Sequence, residues 1–282
     1  MSTSTIYTIV YFGGILAVAL LEWAQPRRPF GESTGLRWFG NFGLQILGGV
    51  LVRALFPLFG VGWAAFCREH GLGLFNVVHW PAWIAFALTI PALDLAAYAQ
   101  HYVLHRVPVL WRVHRAHHSD LDCDFSTGLR FHPFEAVYST AILSGVILAL
   151  GVPPAAVLLS QVLALTLDFV EHANLRIPAS LEQVMRLVVV TPDMHRIHHS
   201  QDPREGNSNF ANVFSWWDRI FGTYVDHPAA GHEGIKFGLT ELSDRKHLTL
   251  PWMLADPFLS PVRPAAADRP PTPEPVSGAV AR

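Results

Sequence analysis

Eight histidines stand in three short runs: His101-x-x-x-His105, His114-x-x-His117-His118 and His195-x-x-His198-His199. On an α-helix, residues three and four apart share one face, a turn from each other. Each run therefore aims two or three imidazoles in one direction. Imidazole is a ligand for Fe, Zn, Cu and Ni. Eight such donors are too many for one ion and suit a pair of closely spaced ions. A fold for this chain has to bring three helical faces, far apart in sequence, to one place.

The second constraint is the solvent. Hydrophobic residues make up 51% of the 282 residues and charged residues 15%, where a soluble domain carries about 25% charged residues. Mean hydropathy is +0.28. The composition is that of a membrane protein. A net charge of −2 offers no large basic field, so no nucleic-acid partner is expected. Cys67 and Cys123 form no CxxC pair, which argues against a disulfide framework and against a thiolate metal site.

The apolar stretches come in order. Thr5 to Ala24 has about the 20 residues needed to cross a bilayer core, and no Lys or Arg precedes it to make the basic start of a signal peptide. It is expected to be a retained transmembrane helix. Arg27, Arg28 and Arg37 follow. Phe39 to Phe66 is a second apolar region, interrupted by Arg53 and Pro57. Arg53 is expected to face protein or to snorkel to an interface. Trp80 to Gln100 is the third, with Trp80 and Trp83 marking an interface, and it delivers the chain directly to His101. Asp94, Tyr98, His101 and His105 share one helical face. Asp94 is expected to accept the second ring N–H of a ligand histidine on that face. Ala136 to Val170 is broken at Gly151-Val152-Pro153-Pro154. Halves of about 15 residues are short for a crossing, so this stretch is expected to be a helical hairpin that dips into the bilayer and returns. It ends with Asp168 and His172.

Thr191, Pro192 and Asp193 read as the start of a helix carrying the third run: a hydroxyl cap, a proline in the first turn and an acid behind it. From Asn174 on the chain reads as soluble, and Pro261 to Arg282 as a Pro/Ala-rich disordered tail. The expected division is transmembrane helices over 1–100, a histidine-rich region over 101–250 containing the hairpin, and the tail at 261–282. Basic residues collect in the 25–39 loop and around the first two runs, so the positive-inside rule puts all three runs and the C-terminus in the cytoplasm.

Several segments together carry a resemblance. They are Asp94 with His101-Tyr-Val-Leu-His105, His114-Arg-Ala-His117-His118-Ser, Arg130-Phe-His132-Pro133, Thr191-Pro-Asp-Met-His195-Arg-Ile-His198-His199-Ser, and Trp217-Asp-Arg-Ile-Phe-Gly-Thr223. The pattern resembles the histidine boxes of the fatty acid hydroxylase / sterol desaturase superfamily, integral membrane non-haem di-iron oxygenases. The resemblance implies an all-α fold, a membrane helical bundle with a cytoplasmic, histidine-rich, metal-binding cap. It implies two iron ions, O2 as co-substrate, and hydroxylation or desaturation of a C–H bond of a sterol, fatty acyl or related lipid. The implied ligands are His101, His105, His114, His117, His118, His172, His195, His198 and His199. Some relatives carry HxxxH where this chain has Asp168-Phe-Val-Glu171-His172. Asp168 is thus open between a carboxylate ligand, an acceptor behind a ligand and a simple N–H acceptor. His132, just before Pro133, is open between ligation and a helix cap.

The Trp217–Thr223 motif has no donor cluster and reads as packing and turn structure, with Trp216 and Trp217 as core or interface anchors. Cys123 reads as a buried structural thiol. His70, His79, His227, His232 and His247 are assigned no function. No dinucleotide, haem or iron–sulfur signature is present, so a separate cytochrome, ferredoxin or reductase is implied as electron donor. The absence of an ER-retention signal points to a bacterial inner membrane. Two alternatives stand beside this reading. A dizinc membrane hydrolase would need only three or four protein ligands per ion, usually with carboxylates or thiolates among them. A transporter or bis-histidine haem protein would place single histidines deep in facing helices.

Overall fold

A computed structural model describes residues 2–31, 33–78 and 80–259, with the side chain of Ser4 left out. His79 and the tail at 261–282 lie outside the described residues. In chain order the α-helices are α1 (Thr3–Ala24), α2 (Thr34–Leu55), α3 (Val61–Glu69), α4 (Leu74–Val77), α5 (Ala82–Arg106), α6 (Pro108–His118), α7 (Pro133–Leu150), α8 (Pro154–Glu171), α9 (Ala179–Met185), α10 (Pro192–His198), α11 (Trp216–Phe221), α12 (Gly231–Gly234) and α13 (Leu250–Leu259). Among the described residues β-pairing is confined to isolated bridges.

Proline sets several of these boundaries. α6, α7, α8 and α10 each begin with Pro in the first turn, where its missing N–H costs nothing and its fixed φ suits the helix. Pro108 also disfavours a helical Val107, so α5 stops and α6 sets off in a new direction. The second apolar region is not one span. α2 ends at Leu55 before Pro57, and the chain turns through Gly60 at φ +60° into α3. Arg53 sits exposed in the last turn of α2, consistent with snorkelling.

α1, α5, α7 and α8 are long and apolar enough to cross a membrane. At 1.5 Å per residue, the 18 residues of α7 or α8 span roughly 27 Å, close to the ~30 Å of a hydrocarbon core. Each arm of the hairpin has the length of a crossing, longer than the halves expected from the sequence. α5 packs against both arms, α2 lies along α7, α1 lies along α8, and α3 packs on both arms of the hairpin. At that turn Gly73 (φ +91°) and Gly151 (φ +64°) meet so closely that a Cβ on Gly73 would stand 2.2 Å from the Gly151 nitrogen. Ile9, Phe12, Leu16 and Leu20 form one exposed face of α1, a surface suited to lipid.

Both ends of the 25–33 loop are tied to the histidine end of the bundle. Glu22, at the foot of α1, accepts from the backbone N–H of Phe125 and of Asn174, both at 2.7 Å. From the start of α2, the buried Arg37 bonds Asp120 and reaches Asp124 at 2.8 Å. Asn41, one turn on, donates to Asp120 at 3.1 Å and Ser126 at 2.9 Å. Arg130 completes the set, donating to Asn41 at 2.9 Å, Ser119 at 2.9 Å and the Ala116 carbonyl at 2.6 Å. Its cation thereby faces the negative C-terminal end of α6. Burial alone would raise the Asp120 pKa, but Arg37 and Arg130 hold it well below the usual carboxylate range. On the other side of α6, Arg115 pairs with Asp256 of α13 at 2.7 Å.

Removing one partner of a buried charge set leaves the others uncompensated, a loss of about 3–5 kcal/mol. Arg37→Met is therefore expected to lower the stability of the detergent-solubilised protein by that order. Chemical or thermal denaturation checks it, and an unchanged midpoint would show that the network does not hold α2 to the histidine end.

Candidate metal centre

The C-terminal turns of α5, α6 and α10 converge at one end of the bundle, joined by the residue that caps α8. Nine buried histidines meet there in two groups. The first holds His101, His105, His114, His118 and His198; the second holds His117, His172, His195 and His199. In each group the available ring nitrogens all lie within 4.8 Å of one another. The helical pitch explains the division. His114 and His118 are four apart and turn to the first group, as His195 and His199 turn to the second. The odd member of each run, His117 or His198, lies about 100° round the helix from its neighbour and serves the other group. The ring planes of His117 and His118 are 88° apart, and those of His198 and His199 are 90° apart.

Four rings are pinned by acceptors at Nδ1. His101 donates to the Phe210 carbonyl at 2.8 Å, His198 to the Ser208 carbonyl at 2.7 Å, His172 to the Asp168 carbonyl at 2.7 Å, and His114 to the Glu135 carboxylate at 2.7 Å. An Nδ1–H held in this way fixes the tautomer and leaves Nε2 bare. In the second group, Nε2 of His195 lies 2.9 Å from Nε2 of His172 and 3.1 Å from Nε2 of His199, and Nε2 of His117 lies 3.3 Å from that of His172. In the first group, Nε2 of His105 and His114 are 3.1 Å apart. Ligand nitrogens about 2.1 Å from a common ion would be roughly 3.0 to 3.4 Å from each other. Nε2 of His101, His118 and His198 are buried and have no partner among the described residues. Converging bare nitrogens with no protein donor fit a pair of metal ions.

A loop behind α5 supplies two of the acceptors. Asn209 adopts φ +51°, a left-handed conformation that Asn tolerates. Its side chain bonds Met194 and Val225, so the flanking carbonyls of Ser208 and Phe210 point at His198 and His101. Asp218 holds the same loop, accepting from the backbone N–H of Phe210 at 2.7 Å and of Ala211 at 3.0 Å, and from Thr223. The Trp217–Thr223 motif is thus structural, as expected, but it acts directly on the acceptor behind His101. Cys123 is buried, with its thiol 3.3 Å from the His172 carbonyl.

One expectation needs correction, and two that were open can be located. Asp94 does not hold a histidine; it accepts from the N–H of Val213 and Phe214 and from the Trp217 indole, at 3.2, 3.0 and 2.8 Å. Its place on the His101 face is real, but the loop reaches it first. His132 lies outside both groups. Its Nδ1 accepts from the Phe134 N–H at 3.2 Å as the cap of α7. Asp168 meets His172 through its backbone carbonyl, with its carboxylate 3.6 Å away. Gly128 is what admits this contact: a Cβ there would stand 2.8 Å from the Asp168 carboxylate and 3.1 Å from the His172 ring. Sequence reading missed Glu135, Asn209 and the Ser208 and Phe210 carbonyls. Glu135, two residues into a helix whose first turn points at the runs, was the one with a legible signal.

Residues 86–223 match a family model described as fatty acid hydroxylase. The alkylglycerol monooxygenase of Homo sapiens is 30% identical over 167 residues, 59% of this chain and 35% of that protein. The ornithine lipid hydroxylase OlsE of Rhizobium tropici is 25% identical over 258 residues, 89% of this chain and 75% of that protein. The cholesterol 25-hydroxylase of Homo sapiens is 27% identical over 146 residues, half of each chain. The chain spans between 25% and 49% of the alkylglycerol monooxygenases it matches. No solved structure gives a significant match.

Two outcomes follow from the geometry. Loss of a carboxylate behind a metal-binding histidine costs typically 10–100-fold in metal affinity. Glu135→Ala is expected to weaken Fe(II) or Zn(II) binding by that order in a chelator competition, with Glu135→Gln in between; equal affinities would mean that Glu135 does not position His114. The second concerns acid. Burial, reinforced by neighbouring rings, holds His117, His118, His195, His198 and His199 far below the ordinary histidine range. Burial also takes His172 down to about 4. Below the unfolded value of about 6.5, the unfolded chain takes up protons that the folded metal-free chain refuses. Stability of the metal-free protein should therefore be full above pH ~6.5 and fall toward pH ~4. Melting curves across that window test it, and a flat profile would contradict it.

Proposed function

We propose that this chain, similar to fatty acid hydroxylase family proteins over residues 86–223, is a member of the fatty acid hydroxylase / sterol desaturase superfamily and an O2-dependent, two-iron oxygenase that hydroxylates or desaturates a C–H bond of a membrane lipid. The observation that carries the reading is the pair of buried imidazole groups with converging bare nitrogens. One ion would be held by His101, His105, His114, His118 and His198, the other by His117, His172, His195 and His199. Two iron ions held there would supply the activation of O2 and the oxidation of an unactivated C–H bond.

The residues of the chain do the rest. The carbonyls of Phe210, Ser208 and Asp168 and the carboxylate of Glu135 orient four rings. Burial keeps the other imidazoles uncharged, as ligation requires. All nine rings are buried, which keeps bulk water from them. An apolar cavity of about 140 Å³ lies between α5, α7 and α8, with Leu93, Ala97, Leu143, Ile147, Val157 and Ala164 among its walls. The α5 wall of that cavity continues one turn on into His101, and Asn212 lines the cavity on the side of the 207–217 loop. This is a route by which a hydrocarbon chain reaches the first group. No side chain needs to act as a nucleophile.

The five-imidazole group exceeds the tetrahedral set usual for zinc, which favours the oxygenase over a dizinc hydrolase. The relatives named above are described as a monooxygenase and hydroxylases, and the present reading takes from them the reaction class. It includes a cytoplasmic histidine face, by the distribution of arginines, a bacterial inner membrane, and a separate electron donor.

Metal analysis of detergent-purified protein should give about two Fe per chain, and His117→Ala should abolish turnover while leaving membrane insertion intact. Zinc alone, with no O2 uptake under any reductant, would refute the oxygenase. Full turnover by His117→Ala would refute its role as a ligand.

A further inference from the structure

The cap beyond α8 carries a surface that is inside out for water. Leu181, Val184, Leu187 and Val188, on and just after α9, and Ile220 and Phe221 of α11 are all at least half exposed, Val184, Leu187 and Ile220 at 64%. Three of the four charged residues among them are turned inward: Glu182 is 7% exposed, Arg186 8% and Asp218 0%. The fourth, Arg219, is exposed but lies over the Tyr224 ring, 4.0 Å from its centroid, and donates to the Ser215 carbonyl at 3.1 Å. Arg186 is paired with Glu182 at 2.8 Å, and Thr191 also donates to Glu182. A helix at a water surface has the opposite arrangement, and an apolar patch of this extent marks an interaction surface.

The two pieces form one patch. The Ser215 N–H donates to the Val188 carbonyl, and the Ser215 hydroxyl donates to the Arg186 carbonyl at 2.8 Å. The patch also has a depth. Asp94 lies at the middle of α5, twelve residues from either end, and α5 is long and apolar enough to cross a membrane. The loop leading into α11 hangs from that carboxylate through Val213, Phe214 and Trp217. Phe221 stacks on Tyr98, with ring centroids 5.2 Å apart. Trp217 shares a groove with Trp80, Leu88, Pro91 and Leu95 of the α5 face. α11 therefore runs beside the middle of a membrane-crossing helix, from the level of Leu88 and Pro91 to that of Tyr98, and its exposed side chains continue that helix's lipid-facing surface. Asp94 at mid-span and His101 about 10 Å further along put the histidine groups near the edge of a ~30 Å core.

We propose that α9, α11 and the 187–188 segment are sunk into the acyl region of one membrane leaflet, on the histidine side. The cap is a wedge in the lipid and not a soluble domain above it. Its occupant is the bilayer itself, argued from the unbroken continuation of the α5 surface and from the inward turn of every charged residue on α9. This holds whatever the histidine groups bind.

The test places single cysteines at Val184→Cys and Ile220→Cys, with Arg204→Cys on an exposed polar turn as the control; the native Cys67 and Cys123 are buried. Variants are reconstituted in nanodiscs holding one chain each, and metal content equal to the unsubstituted protein verifies folding. The proposal expects both positions to react with a charged, impermeant maleimide an order of magnitude more slowly than the control. A bimane placed at either should be quenched by lipids carrying a doxyl group on the acyl chain. Labelling at the control rate, without doxyl quenching, would overturn it. Protection that appears only in discs holding two chains would overturn it too, since a second copy would then cover the patch.

Discussion

Nine imidazoles are buried together in this protein, and the orientation of a buried ring depends on where its N–H finds an acceptor. A buried polar group without a partner costs several kcal/mol in an apolar setting, and a protonated ring in this crowd would cost more. The architecture at the histidine end answers that requirement. Backbone carbonyls at Ser208, Phe210 and Asp168, and the carboxylate of Glu135, take the Nδ1 protons of four rings. Those rings can then present Nε2 only inward. The left-handed Asn209 and the buried Asp218 exist in the fold to aim two of those carbonyls. Glycine at 128 leaves room for a third.

The same logic runs outward to the next layer. The C-terminal turn of α6 carries His117 and His118, and it is held by Arg130 on its carbonyl and by the Arg37–Asp120–Asp124 network behind it. Acidic side chains near the centre are spent as acceptors for backbone or indole N–H groups, as with Asp94, Glu22 and Asp218. On α9 the inward turn of Glu182 and Arg186 leaves an apolar exterior. The polar interior and apolar surface of the cap are two sides of one arrangement, suited to a site that lies where water gives way to lipid.

Much of the centre was legible in the residues. The three runs, their helical faces and the helix start at Thr191 all appear as read, because i, i+3, i+4 spacing is a local property that any helix expresses. His172 joined them on the strength of its place at the end of α8 and the family pattern. Asp94 was misplaced: it sits at the right position along its own helix, but its partner is chosen by a segment distant in sequence, the 213–217 loop. His132 was open between ligation and a helix cap, and it serves as the cap of α7 through the Phe134 N–H.

The sequence by itself determined that the chain is helical and apolar, that it breaks at its prolines, and that histidines stand on one face at the ends of membrane segments. Periodicity, proline stereochemistry and hydropathy carry that information within a few turns. Which ring shares which group, and which acceptor fixes each tautomer, was decided only by the tertiary structure. The cap's apolar side was likewise decided there, by where its charges found partners. These depend on contacts between segments that have no periodic relation to each other, where a slip of a single residue, about 100° round the helix, would turn a ring from one group toward the other.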